Sequence, residues 1–63
     1  MKLTADTITD GQIYLVRKAM LGVPRKNAHH RAILADCQGA LEGSKACRES
    51  VASAYNAMVR GLK

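Results

Sequence analysis

The strongest constraint on this chain is the short break Glu42-Gly43-Ser44, which separates two runs of helical apolar period. Before it, Ile33, Leu34, Cys37, Ala40 and Leu41 recur at the spacing of one helical face. After it, Cys47, Val51, Ala54, Tyr55, Met58 and Leu62 do the same. Gly43 is suited to the left-handed conformation that ends a helix, and Ser44 to capping the next. A turn of one or two residues forces the helices it joins to run antiparallel. The standard helix-turn-helix reader of DNA needs a three- or four-residue turn and a roughly perpendicular second helix. With Gly43 as the turn glycine of such a motif, Glu49 falls near the position that needs an apolar anchor. A ribbon-helix-helix would take Leu3 to Ile8 as its strand, but that fold has two helices after its strand, whereas three are expected here.

Upstream, residues 1–8 carry no helical period and are expected to form an extended arm. Thr9 opens a first helix. Thr9 and Gln12 stand at capping-box spacing, with Ile8 and Ile13 at staple positions. Gly22 and Pro24 stop that helix after about Leu21. Ile13, Val16 and Met20 form one stripe of it, while Tyr14, Leu15 and Leu21 point elsewhere. A helix apolar on several sides calls for burial on several sides. Asn27 is a good N-cap for the second helix. The expected fold is all-α: an arm over 1–8, then one three-helix domain over 9–63 with its second and third helices as a tight antiparallel hairpin.

Sixty-three residues make one domain whose core is marginal without help from a disulfide, a metal or a partner. Two cysteines are too few for a disulfide framework. The polar start Met1-Lys2-Leu3-Thr4-Ala5-Asp6 lacks the apolar region of a secretory signal, and no stretch approaches the ~20 apolar residues of a membrane span. These features point to a cytoplasmic chain with reduced thiols, stabilised by self-association or a partner. A formal net charge of +5 favours nucleic acid, anionic ligands or acidic protein surfaces. Aromatic side chains are limited to Tyr14 and Tyr55, which argues against stacking of bases on an aromatic platform.

Arg25, Lys26, His29, His30 and Arg31 crowd the start of the second helix. The helix dipole is positive there, so cations at that end oppose stability unless an anion joins them. A phosphate or an acidic side chain would suit; the competing reading is a solvated loop whose charges repel. Cys37 and Cys47 are read as small buried hydrophobes, since their spacing matches no zinc motif. Adjacent helical residues point about 100° apart, so His29 and His30 do not face one metal. No nucleophile elbow, spaced carboxylate pair or Gly-rich phosphate loop is present. The expectation is no enzyme, no metal and no cofactor.

Small residues also line both hairpin helices, at Ala28, Ala32, Ala35 and Gly39 and at Ala46, Ser50, Ser53 and Ala57. Such stripes permit close helix approach and suggest an association seam. The alternative is that alanine is simply the best surface helix former.

The pattern Ile8-Thr9-Asp10, Gln12-Ile13, Cys37, Ala40-Leu41, Gly43 and Cys47 resembles a group of very short helical proteins encoded by phages, prophages and related elements. Ser44 replaces the Asp that commonly follows the glycine, and the basic run at 25–31 is more charged than usual. The resemblance implies a mobile-element context, in which tiny proteins often act by binding and blocking host machinery, defence systems included. It assigns no residue a role. The first expectation is therefore a non-catalytic interaction protein that binds a host protein or complex. In it Arg25, Lys26 and Arg31 engage acidic groups, and helix one or the small-residue stripes form the seam. A nucleic-acid or nucleotide binder is the second reading, and a structural homo-oligomer the third.

Overall fold

The computed structural model describes residues 2–61 and contains three helices, α1 (Asp10–Leu21), α2 (Ala28–Leu41) and α3 (Lys45–Gly61). No strand occurs among the described residues. The expected all-α, three-helix architecture is the observed one.

Each helix starts where its cap residue directs. The Thr9 hydroxyl accepts from the Gln12 N–H at 3.3 Å, and the Gln12 side-chain oxygen accepts from the Thr9 N–H at 2.8 Å. Ile8 and Ile13, the staple pair, are both buried. Asn27 caps α2 by accepting from the His30 N–H at 3.1 Å. Ser44 opens α3 with a longer bond, 3.4 Å from the Cys47 N–H.

The hairpin turn closes through two backbone bonds. Ser44 N–H donates to Gly39 O at 3.0 Å, and Gly43 N–H donates to Ala40 O at 3.1 Å. Gly43 holds φ at +100°, which a Cβ would strain. Glu42 is still right-handed as the C-cap, so the connection spans three residues, Glu42 to Ser44, one more than the spacing suggests. The helices still double back. Gly39 lies against Cys47 beside the turn, and His30 and Ile33 share a depression with Ala54 and Met58 at the far end.

The core is small. Ile13, Val16, Cys37 and Val51 are its largest fully buried side chains, joined by Ile8, Ala40 and Ala52. Leu3, Met20, Ile33, Leu41, Cys47, Ala54, Tyr55 and Met58 pack around them, half-buried. Ala52 lies outside the expected α3 stripe, and Leu62 of that stripe lies outside the described residues.

The arm is docked rather than free, and it is not extended throughout. Thr7 N–H and Ile8 N–H both donate to Thr4 O, at 3.2 and 3.0 Å, closing a single turn. That turn buries Ala5 and Ile8. Before it, Leu3 exchanges two 2.9 Å bonds with the Asn56 amide of α3, donating its N–H to Oδ1 and accepting from Nδ2. Here a side-chain amide satisfies the backbone as a neighbouring strand would. The buried apolar pair is what favours a turn over an extended run at 4–8.

Candidate functional site

The basic run at the start of α2 does not gather as one cluster. Lys26 turns back onto α1, where its Nζ donates to Leu21 O at 3.2 Å and Val23 O at 3.1 Å. The wrong end of α2 for a cation is thus the right end of α1, whose last carbonyls carry the negative pole. His30 is also committed. Its Nδ1 accepts from the Asn27 N–H at 3.2 Å and completes a capping box with Asn27. His30 is half-buried, and the two imidazoles sit 6.1 Å apart, tilted by 60°. The side chains of Arg25, His29 and Arg31 remain exposed, with no hydrogen-bonded or ion-pair partner among the described residues.

Two exposed features stand out instead. The first is the outer face of α1. Tyr14 is 56% exposed, Leu15 55% and Leu21 48%. At 100° per residue these side chains fall on one flank with Lys18, and Arg17 borders it. The burial that sequence reasoning expected on several sides of this helix is met on one side only. The intramolecular partner α1 lacks is the clearest vacancy in the fold.

The second feature is a groove along α2 and α3. His29, Ala32, Ile33 and Asp36 line one wall, and Ser50, Ser53, Ala54 and Ala57 the other, around about 360 Å³. A second depression of about 270 Å³ shares His29, Ile33, Ala54 and Ala57 and continues the groove to Met20 and Met58. The two small-residue stripes therefore converge in part on one surface. Ala32, Ser50, Ser53 and Ala57 meet there, and Ala28 and Ala35 are exposed. Gly39 belongs to the fold itself, since a Cβ there would come within 2.5 Å of the Cys47 Sγ.

The thiols behave as packing groups. Cys37 is buried and Cys47 half-buried, and both are free. Burial pushes the Cys37 thiol up from its usual range, the neighbouring Asp36 charge adds to this, and Arg17 opposes it. Such a thiol stays protonated and is a poor nucleophile. No group of three or more metal-ligating side chains converges among the described residues. No helix there is long and apolar enough to cross a membrane.

Sequence reasoning passed over Arg48. Its guanidinium donates to Ile8 O at 2.6 Å and to Ala5 O and Ala40 O at 3.3 Å, and it pairs with the Asp10 carboxylate at 3.3 Å. One side chain thereby joins the arm, the start of α1 and the end of α2. The available signal was a cation lying between Cys47, Val51 and Ala52 on the inner face of α3.

No protein-family model, curated protein or solved structure matches this chain.

Proposed function

We propose that the protein is a non-catalytic interaction module that docks through the outer face of α1 onto a partner protein. The exposure of Tyr14, Leu15 and Leu21 on one flank carries this reading. Covering the exposed half of each releases on the order of 1 kcal/mol. A surface ion pair contributes about 0–1 kcal/mol. The apolar flank is therefore the source of affinity, and Lys18 on it and Arg17 at its border select an acidic rim. In the mobile-element context implied by the resemblance, the partner is a host protein or complex in the host cytoplasm, and docking modulates or inhibits it, a defence system being one such target.

The nucleic-acid reading draws less support, because two of its five side chains already serve the fold. Lys26 bonds the end of α1 and His30 the cap of α2.

Affinity capture from host lysate with and without nuclease tests the proposal. The expected result is one protein retained after nuclease treatment, lost with Leu15→Glu and kept with the Arg25→Ala/Arg31→Ala double variant. Capture that vanishes with nuclease, weakens steeply with salt and needs Arg25 and Arg31 would instead establish a nucleic-acid binder.

A further inference from the structure

The groove between α2 and α3 has the form of a receptor for a helix. Half-buried Ile33 and Ala54 form its floor, and its rims are the short side chains of Ala32, Ser50, Ser53 and Ala57, with His29 and Asp36 at either end of the α2 wall. Eight residues of α2, from His29 to Asp36, span roughly 10 Å along it at 1.5 Å per residue. Tyr14 to Leu21 of α1 covers the same length. The groove also holds one charge without a counterpart. Asp36 is half-buried and makes no hydrogen bond or ion pair among the described residues.

The α1 flank is the complement of this groove in shape and in charge. It offers large apolar side chains where the groove offers small ones, and cations at Arg17 and Lys18 where the groove offers a carboxylate. Within one chain the two cannot meet: α1 packs by its opposite side, through Ile13 and Val16, onto the core that α2 and α3 share.

We propose that the α2–α3 groove receives α1 of a second copy, Tyr14, Leu15 and Leu21 seating over Ile33 and Ala54 with Lys18 opposite Asp36. The contact is head-to-tail, so each added copy leaves one free α1 and one free groove, and assembly continues past the dimer. The net charge of +5 opposes indiscriminate association of copies, and the local pairing of Lys18 with Asp36 sets the register. Self-association uses the same α1 face as the docking proposed above and competes with it, yet it does not depend on any other partner existing.

Sedimentation equilibrium of the purified protein from about 10 μM to about 1 mM spans the affinities such a contact gives. Wild type is expected to gain mass with concentration beyond two copies. Leu15→Glu removes the inserted face and Ala57→Leu fills the groove, so each alone is expected to remain a monomer. Ala32→Leu fills the same groove should Ala57→Leu lose its helical circular dichroism. An equimolar mixture of the face variant and a groove variant must associate and stop at two copies, because each retains the half the other lacks. Asp36→Lys should weaken wild-type association about tenfold, and adding Lys18→Glu should restore most of it. A wild type that stays monomeric, a wild type that stops at a dimer, or a mixture that does not associate overturns the proposal. Capture of a host protein by a monomeric wild type would leave the docking function standing while this inference fell.

Discussion

The Arg48 guanidinium donates to the Ile8 carbonyl at 2.6 Å, the shortest of four bonds by which one side chain holds the arm, α1 and α2 together. The relationship spans forty residues of sequence. It places a cation beside the C-terminal carbonyl of Ala40, where the α2 dipole favours it.

Arg48→Ala is expected to destabilise the fold by about 2–3 kcal/mol, because three carbonyls lose a charged donor together. In a domain of this size that lowers the melting midpoint by roughly 15–23 °C. Arg48→Lys keeps the charge but not the planar fork, so it should recover less than half of the loss. Thermal unfolding followed by circular dichroism measures both. A lysine variant as stable as wild type would show that charge alone suffices.

Gly39→Ala sets two magnitudes against each other. In an unconstrained helix the substitution stabilises by about 1 kcal/mol. Here the new methyl would lie 2.5 Å from the Cys47 Sγ and 3.2 Å from its Cβ. Overpacking of that kind costs about 1–3 kcal/mol, so the net change is expected to be destabilising. Cys47→Ala removes the nearer atom and should rescue much of the loss in the double variant. Urea midpoints of the four proteins in this cycle give the coupling directly.

Much of the fold is legible from local rules acting over three or four residues. Thr9 with Gln12, Asn27 as a cap, and Gly43 before Ser44 all follow from capping chemistry, and the buried set follows largely from helical period. What escapes is chemistry between elements. Lys26 reads as a cation misplaced at the start of α2, because a one-dimensional view does not show α1 ending beside it. Its five-residue offset from Leu21 was the available clue. His30 falls at the third position after Asn27, which capping-box logic would have found had histidine been counted beside glutamate and glutamine. Arg48 draws its carbonyls from residues 5, 8 and 40, and no periodicity anticipates that set. Among candidate sites, the apolar excess of α1 is readable in the sequence. The convergence of two small-residue stripes on one groove appears only once α2 and α3 are paired.

Cys37 links packing to pH. Burial raises its thiol above 9.0, with Asp36 reinforcing the shift and Arg17 opposing it. The folded state therefore holds this proton more tightly than the unfolded chain does. Its contribution to stability is complete below the unfolded value and is lost as pH rises through the folded one. Wild type should accordingly lose stability faster than Cys37→Ala above about pH 9. Parallel stability–pH curves for the two proteins would contradict this. Alkylation offers a second readout, in which Cys47 reacts in the native protein and Cys37 only on unfolding.

His30→Glu separates the two meanings of the basic end. A glutamate three residues after Asn27 can accept from the cap N–H as His30 Nδ1 does, and its charge suits the positive pole of α2. The variant is expected to be more stable than wild type by about 0.5–1 kcal/mol. Asn27→Ala should lose about 1 kcal/mol. An anion held at this end would be repelled by the same glutamate, so an anion-binding function would weaken as stability rose. Docking through α1 makes a different demand, because Tyr14, Leu15 and Leu21 lie on the outer flank and His30 serves the cap. Partner capture by His30→Glu should then match that of wild type, while chemical denaturation reports the gain. A variant that is stabilised but no longer captures its partner would return the functional assignment to the start of α2.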